Sequence, residues 1–168
     1  MSEPHIHWRE LSAPDLPQVE VMAAAVHPAF PEDGAVFAER QRLYPEGTRL
    51  LEIDGRPAGY LLSHPWRFKA LPELNTLLGA IPADADTYYV HDLALLPAAR
   101  GTGAAARIVG DLLRHARAQG FATVSLVAVN GSVPFWHKHG FRPQPAPELA
   151  DKLDSYEAAA KFMVRQLV

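Results

Sequence analysis

The chain has 168 residues, 48% hydrophobic and 21% charged, a composition typical of one globular domain with a sizeable core. Its net charge of −3 argues against a protein built mainly to hold nucleic acid or an anionic membrane. The absence of cysteine excludes a disulfide framework, a thiolate nucleophile and a cysteine-ligated zinc. The first residues lack a secretory-signal pattern and no apolar run is long enough to span a membrane, so we expect a cytoplasmic protein with one domain over residues 1–168.

The N-terminal half predicts strands and helices in alternation. A first helix follows Asp15, a candidate N-cap, and stops at Pro28, and its apolar residues recur at helical spacing. Asp54 and Gly55 predict a hairpin turn. In chain order we expect a strand at 6–11, helices at 16–26 and 33–43, and strands at 48–53 and 57–63.

Residues 64–86 form the least regular segment, with several prolines and a leucine-rich middle. Because a structureless loop of this length is unusual in a compact domain, we expect an insert that holds a short helix or a functional flap. The rest of the chain predicts a βαβ unit and hence an α/β domain. Its elements are a strand at 88–96, a helix at 103–119 stopped by Gly120, a strand at 121–129, a short helix at 132–139 and a strand at 159–167.

A glycine-containing turn stands between the strand at 88–96 and its following helix. Its sequence is Arg100-Gly101-Thr102-Gly103-Ala104-Ala105. Such a turn presents free backbone N–H groups and the positive end of a helix dipole, which favours phosphate or pyrophosphate. A Walker A loop is excluded because no Lys follows the second glycine, and a Rossmann fingerprint fits poorly because Ala106 stands at the third glycine position.

The glycine turn resembles the acyl-CoA motif of the GNAT family of N-acetyltransferases, R/Q-x-x-G-x-G/A. Residues 135–141, FWHKHGF, resemble the family's late F-Y-x-K-x-G-F segment, and Asn130 stands where the family often has Asn. The order of predicted elements also matches. The resemblance implies an α/β, single-domain GNAT-like fold, with a mixed, mostly antiparallel sheet that is splayed at its centre and flanked by helices.

The resemblance implies that acetyl-CoA is the co-substrate, bound between the strands at 88–96 and 121–129, and that its acetyl group passes directly to an amine. The N–H groups of residues 100–105 are expected to bind the pyrophosphate. The backbone N–H of Leu95 is expected at the thioester carbonyl, as an oxyanion-hole donor. The implied cofactor-binding residues are Leu95, Arg100, Gly101, Thr102, Gly103, Ala104, Ala105, Asn130 and Trp136.

His91 is the first candidate for the base that deprotonates the amine, because an imidazole is a side chain suited to proton transfer near neutral pH. In some members of the family a histidine at the matching position faces the acceptor. In a regular strand His91 shares a face with Tyr89, Leu93 and Leu95, whereas Asp92 points to the opposite face, where we expect it to be buried with a hydrogen-bond partner. Asp92 remains a second candidate because a strand bulge would re-aim its side chain.

The sequence departs from the family at Trp136, where many members have a tyrosine that protonates the departing thiolate. An indole N–H does not serve as such an acid. A water, Ser132, Tyr88 or Tyr89 remains as an alternative, as does departure without a dedicated acid. The missing tyrosine also leaves open a CoA-binding regulatory module without turnover. A third hypothesis, a nucleotide-binding domain, predicts stabilisation by NAD or ATP rather than CoA.

We expect residues 27–42 and the insert to form the wall of the amine site. Trp66, Phe68 and the leucines of the insert are consistent with an apolar wall, and a homodimer contact explains them equally well. The paired histidines lack a suitable third ligand, so no metal site is expected. The expected partners are acetyl-CoA and an amine, with no nucleic acid and no membrane.

Overall fold

A seven-stranded mixed sheet covered by helices forms the fold, and the computed structural model describes residues 2–167. The strands are β1 (Ile6–Glu10), β2 (Thr48–Ile53), β3 (Arg56–Trp66), β4 (Thr87–Leu95), β5 (Thr123–Ala128), β6 (Arg142–Pro143) and β7 (Lys161–Gln166). The helices are α1 (Leu16–Val26), α2 (Gly34–Leu43), α3 (Ala104–Ala118), α4 (Val133–Lys138) and α5 (Ala150–Tyr156). Within residues 2–167, no helix is both long and apolar enough to cross a membrane.

The strand order is β1-β2-β3-β4-β5-β7-β6, and every neighbouring pair is antiparallel except β4 and β5. This confirms the predicted α/β class and the mostly antiparallel sheet. The Asp54-Gly55 turn between β2 and β3 is also confirmed, since both residues have positive φ, as an Asp-Gly hairpin turn requires.

Alternating side chains divide the core between the two faces of the sheet. Tyr60 and Leu62 of β3 pack with α1 and α2, whereas Leu61 between them packs on the α3 side. On α3, buried residues recur every three or four positions, which gives the helix one apolar face. They are Ala104, Ile108, Val109, Leu112, Leu113 and Ala116.

Three features differ from the sequence prediction. The insert begins later than expected, because residues 64–66 continue β3, and the segment from 67 to 86 contains no helix. Trp66 and Phe68, expected in the wall of the amine site or in a homodimer contact, pack against a cluster that includes Leu149 and Phe162. Helix α5 was not predicted, and it follows a 3-10 turn at Pro147–Leu149.

The centre of the sheet opens where β4 and β5 stop pairing. The two strands pair only over Tyr88–Val90 and Val124–Leu126, and β4 continues for five residues beyond that point. A bulge lies at the same place, since Asp92 pairs with Leu62 and Val90 with Ser63, which leaves His91 as the extra residue. The predicted splay is therefore present, and the candidate base stands at its start.

Candidate active site

The glycine turn leaves several N–H groups without a partner on one surface. Arg100 and Thr102 donate their N–H groups to carbonyls within the turn, and the N–H of Ala104 donates to the Thr102 hydroxyl at 3.2 Å. Within residues 2–167, four other N–H groups at this helix start make no hydrogen bond to the protein: those of Gly101, Gly103, Ala105 and Ala106. Of the six N–H groups expected to bind the pyrophosphate, every second one therefore already donates a hydrogen bond within the turn itself.

These four residues line one open pocket, the glycine-turn pocket, which also receives positive side chains. Arg100 and Lys138 line it together with His139, and no carboxylate does. Gly101 and Gly103 have φ of +74° and +83°, and a Cβ on either residue meets no atom within 4 Å. Glycine is therefore needed here for backbone conformation and not for space. The pocket combines free N–H donors, a helix N-terminus and two cationic side chains, as an anion site requires.

The glycine-turn pocket adjoins a cleft between β4 and β5. Leu95 and Phe135 line both. The N–H of Leu96 bonds to Ala58 of β3 at 2.8 Å, and N–H directions alternate along a strand, so those of Leu93 and Leu95 point into the cleft. The sequence prediction named Leu95 as a donor and missed Leu93, which the register now adds.

Asn130 and Trp136, both expected at the cofactor, line the cleft on the side opposite β4. Asn130 has φ +55°, a conformation that asparagine tolerates better than most residues. Trp136 is 6% exposed and packs edge-on against Phe135 and Phe141. Its indole belongs to the core and forms part of the cleft wall.

The bulge at His91 changes which residues share a face of β4. Val90 and Leu93 pack in the same apolar cluster, although strict alternation would put them on opposite faces. The prediction that Tyr89 and His91 share a face with Leu93 and Leu95 is therefore wrong. Asp92, in contrast, points away from Leu93 and Leu95 and is buried with hydrogen-bond partners, as predicted. As a consequence, His91 and Asp92 line the same cleft, and both reach the loop between α1 and α2.

His91 forms a buried pair with Glu32. Its Nε2 lies 2.9 Å from Glu32 Oε1, and each side chain is only 7% exposed. Burial raises the pKa of Glu32, but the bond and charge of His91, the N–H of Asn75 and the charge of Arg40 outweigh it, so the net pKa is below the usual value. An ionised Glu32 holds the proton of His91 on Nε2 and leaves Nδ1 as the basic nitrogen.

Asp92 forms a second pair, with His27. Asp92 Oδ1 lies 2.7 Å from His27 Nε2, and Asp92 Oδ2 accepts a hydrogen bond from the Tyr60 hydroxyl. The other ring nitrogen of His27, Nδ1, lies 3.1 Å from Asn130 Nδ2 on the far wall of the cleft. From the sequence, His27 was expected only in the wall of the amine site. The overlooked signal is a histidine at a helix C-terminus, followed by proline and then by Glu32.

The cleft opens into a smaller inner pocket. Its lining residues are His27, Phe30, Glu32, Leu74, Tyr89, His91, Asp92, Val127, Val129 and Tyr156. Burial raises the pKa of Tyr89 well above its usual value and that of Tyr156 to about 12, so both hydroxyls keep their protons at neutral pH. Tyr88, in contrast, bonds to Ser63 at 2.7 Å beneath α3, outside the cleft, and cannot act as the proton donor that the sequence left open.

The insert lies over the inner pocket and is held by α2. Glu39 accepts hydrogen bonds from the N–H groups of Leu78 and Gly79 at 2.6 and 3.0 Å, and it pairs with Arg40 at 2.9 Å. Arg40 donates in turn to the carbonyl of Thr76. Glu39 and Arg40 are buried, so the attachment is shielded from solvent. Leu74 is the insert residue that reaches the inner pocket.

The described residues 2–167 contain no group of three or more His, Asp or Glu side chains that could hold a metal ion. The polar groups that the site offers are backbone donors and the two histidine–carboxylate pairs. The pair of His91 and Glu32 joins β4 to the loop between α1 and α2. The pair of Asp92 and His27 joins β4 to the end of α1.

The chain matches a known family and known folds. Residues 7–141 match the Acetyltransferase (GNAT) family. The sequence has no match among curated proteins. Ard1 from Thermoplasma volcanium is similar in structure, with a TM-score of 0.73, 18% identity, and coverage of 97% of this chain and 98% of that one.

Two further solved structures are similar. Arabidopsis thaliana Naa50 in complex with the bisubstrate analogue CoA-Ac-MVNAL has a TM-score of 0.70 and 14% identity, over 95% of this chain and 96% of that one. The GphF GNAT-like decarboxylase in complex with isobutyryl-CoA has a TM-score of 0.77 and 18% identity, over 96% of this chain and all of that one. At these identities the structures show a common fold, and the match over residues 7–141 shows the family. The chain belongs to the GNAT acetyltransferase family.

Proposed function

We propose that this protein is an N-acetyltransferase that moves an acetyl group from acetyl-CoA directly to an amine. The observation that carries the proposal is the continuity of three pockets. Leu95 and Phe135 are shared by the glycine-turn pocket and the cleft, and His27, His91 and Asp92 are shared by the cleft and the inner pocket. One elongated donor and one small acceptor can therefore meet beside two histidines.

The glycine-turn pocket suits the pyrophosphate of CoA. Gly101, Gly103, Ala105 and Ala106 supply the free N–H donors, and Arg100 supplies a positive charge. The pantetheine arm then follows the cleft, with Trp136 and Asn130 on the side opposite β4. The CoA complexes of Naa50 and GphF support this assignment for the fold, and their ligands make acetyl-CoA or another short acyl-CoA the expected donor.

Direct transfer needs a donor to the thioester oxygen, on which negative charge develops. The N–H groups of Leu95 and Leu93 both enter the cleft. Leu95 also borders the glycine-turn pocket, whereas Leu93 lies two residues from His91, closer to an amine in the inner pocket. We therefore assign Leu93 to the thioester carbonyl and Leu95, the donor predicted from the sequence, to the adjacent part of the same acyl-pantetheine chain.

His91 is the base in this proposal. Glu32 accepts the Nε2 proton at 2.9 Å, so Nδ1 is available to take a proton from the ammonium form of the acceptor, directly or through water. The neutral amine nitrogen then attacks the carbonyl carbon of the thioester. Phe30, Leu74 and Val129 add apolar surface to the inner pocket, which favours the neutral amine over its charged form.

A CoA-binding module without turnover is the second candidate, and Trp136 is the observation that favours it. One experiment separates the two. Thermal shifts with CoA, NAD and ATP are measured first, followed by thiol release from acetyl-CoA over a panel of primary amines. Stabilisation by CoA with thiol release supports the enzyme; stabilisation without release on any amine supports the module. Stabilisation by NAD or ATP and not by CoA contradicts both.

A further inference from the structure

None of the residues that the sequence left open is a suitable proton donor to the departing thiolate. Trp136 stands where the family resemblance expects a tyrosine, and its indole is part of the core. Tyr88 lies outside the cleft, and Tyr89 is buried in the inner pocket with a pKa raised well above the usual value. Ser132 lines the cleft, but a serine hydroxyl is a poor acid at neutral pH.

His27 lies where the pockets meet. It lines the cleft, the inner pocket and an outer pocket between α1 and the following loop. Its side chain is 17% exposed, and its Nδ1 faces Asn130 across the cleft. A group in this place can contact a sulfur atom in the cleft and can also exchange protons with solvent through the outer pocket.

The carboxylate of Asp92 orients the ring of His27 and is itself fixed by a hydrogen bond from Tyr60. Asp92 bonds to Nε2 with one oxygen, and its other oxygen accepts from the hydroxyl of Tyr60, a residue with no exposed surface. This arrangement fixes the proton of Nε2 towards Asp92 and directs Nδ1 to the cleft. It follows the logic of catalytic triads, in which a buried carboxylate orients an imidazole and stabilises its protonated form.

We propose that His27 is the general acid that protonates the CoA thiolate in this enzyme, and that Asp92 is its positioning residue. The proposal rests on the function proposed above. It gives the two histidines of the site different tasks, with His91 as the base for the amine and His27 as the acid for the leaving group. It also removes the need for the tyrosine that Trp136 replaces.

The charges around His27 favour its protonated form. Asp92 and His91 face it from β4, Glu32 from the loop after α1, and Glu20 from α1 through the outer pocket. Burial lowers the pKa of His27, but the bond and charge of Asp92 and the charge of Glu32 outweigh it, so the net pKa is above the ordinary value. The C-terminus of α1, where His27 is the cap residue, also favours a cation.

Asn130 can serve both protonation states of His27. In the structure its Nδ2 faces Nδ1, which suits a neutral ring that accepts a hydrogen bond. A half turn of the amide presents the side-chain oxygen instead, which suits a protonated ring that donates one. Asn130 therefore tolerates the loss and recovery of the Nδ1 proton.

The protons balance over one turnover. The ammonium gives one proton to His91, and the nitrogen lone pair forms the C–N bond. As the C–S bond breaks, its electron pair goes to sulfur, which takes the Nδ1 proton of His27. The nitrogen loses its second proton, which restores His27, and the proton on His91 passes to solvent. The net reaction converts an ammonium and a thioester into an amide, a thiol and one released proton.

Single-turnover acetyl transfer in His27→Gln is the first test. We expect the rate to fall about 100-fold, with the Kd for acetyl-CoA changed by less than about twofold, because an acid acts in the transition state. The wild-type rate should decline at high pH as His27 loses its proton, and this decline should vanish in the variant. His137→Gln is the matched control, since His137 is exposed on α4 and lines none of these pockets. An unchanged rate, or an alkaline decline that persists, overturns the proposal.

The second test distinguishes an acid from a base at the same position. His27→Ala opens space beside the outer pocket, and imidazole is added to replace the missing ring. The restored rate should follow the concentration of imidazolium across pH. A rate that follows neutral imidazole makes His27 a base, and no rescue in a folded variant that binds acetyl-CoA removes the acid role; either result overturns the proposal.

Asp92→Asn tests the positioning role. The amide no longer stabilises protonated His27, so the alkaline decline should move to lower pH. A purely structural role would lower the rate without moving the decline, and that result contradicts the assignment of Asp92. Wild-type thiol release is measured first, so a failure of the proposed function appears in the wild type, whereas a failure of the acid assignment appears only in the variants.

Discussion

The backbone conformation of the glycine turn makes a quantitative prediction for Gly103→Ala. Gly103 caps α3 with φ +83°, and a Cβ there meets no atom within 4 Å, so alanine brings a conformational cost and no clash. That cost is about 1–2 kcal/mol for a residue with a side chain in the left-handed region. A variant that keeps the turn loses this amount of stability and binds CoA normally. If the turn instead relaxes, so that the alanine leaves the left-handed region, the variant keeps its stability. It must then return to the left-handed conformation to bind CoA, and binding is weakened.

The weakening of acetyl-CoA binding therefore cannot exceed the conformational cost, and we expect the Kd to rise by about 5- to 30-fold in a relaxed turn. Gly120→Ala is the matched control. Gly120 has φ +85° and equally open space, but it follows the far end of α3, about 20 Å away. Urea unfolding and calorimetric titration measure both quantities. For Gly103→Ala, the decrease in the free energy of unfolding and the decrease in the free energy of acetyl-CoA binding should sum to about the decrease in the free energy of unfolding measured for Gly120→Ala. An unchanged Kd together with unchanged stability would refute the argument.

Four further results are expected. Arg100→Gln should raise the KM for acetyl-CoA, and the difference from wild type should shrink as salt screens the charge, measured by initial rates at several ionic strengths. His91→Gln should lower single-turnover transfer about 100-fold, because the acceptor amine then has no base. Glu39→Gln should lower the free energy of unfolding by about 2 kcal/mol, because it removes the ion-pair partner of the buried Arg40 and leaves Glu32 as the remaining carboxylate near that charge. Burial lowers the pKa of His64 to about 3, so unfolding below about pH 6.5 should take up a proton. The free energy of unfolding should therefore fall by about 1 kcal/mol per pH unit from about pH 6.5 down towards pH 3. In urea unfolding, His64→Leu should reduce that slope.

Each of these has an outcome that contradicts it. A KM difference for Arg100→Gln that is independent of salt would mean that the side chain does not act through charge. A single-turnover rate in His91→Gln close to that of the wild type would assign the base elsewhere. Equal unfolding curves for wild type and Glu39→Gln would show that the insert is held by other contacts, and an unchanged acid slope in His64→Leu would show that other groups carry it.

The parts of the fold that were predicted correctly have local causes. The turn glycines, the Asp-Gly hairpin and the end of α3 at Gly120 depend on backbone conformations that few residues adopt, so the residue type alone reports them. The apolar face of α3 follows from the spacing of its buried residues, and the helix begins at Ala104, one residue later than predicted.

The features that were missed depend on distant contacts. A strand bulge was considered only as the alternative that would re-aim Asp92. The bulge at His91 arises from the register with β3, and no residue in VHDLAL marks it, so Tyr89 and His91 were assigned to the face of Leu93 and Leu95. The partner of Asp92 is 65 residues away in sequence, and Glu32 is 59 residues from His91. The two pairs form because the loop after α1 crosses the opening between β4 and β5, and a single sequence does not record that crossing.

Different residues attach the insert to α2 and line the inner pocket. Glu39 and Arg40 bind the N–H groups of Leu78 and Gly79 and the carbonyl of Thr76, and these are groups that every residue except proline carries. Side chains at this part of the insert can therefore change without loss of the attachment. Leu74 is the insert side chain in the inner pocket, so an exchange there alters the shape offered to the acceptor while the histidines keep their positions. The insert is thus an exchangeable part, and variation in it offers a route by which this scaffold can acquire new acceptors.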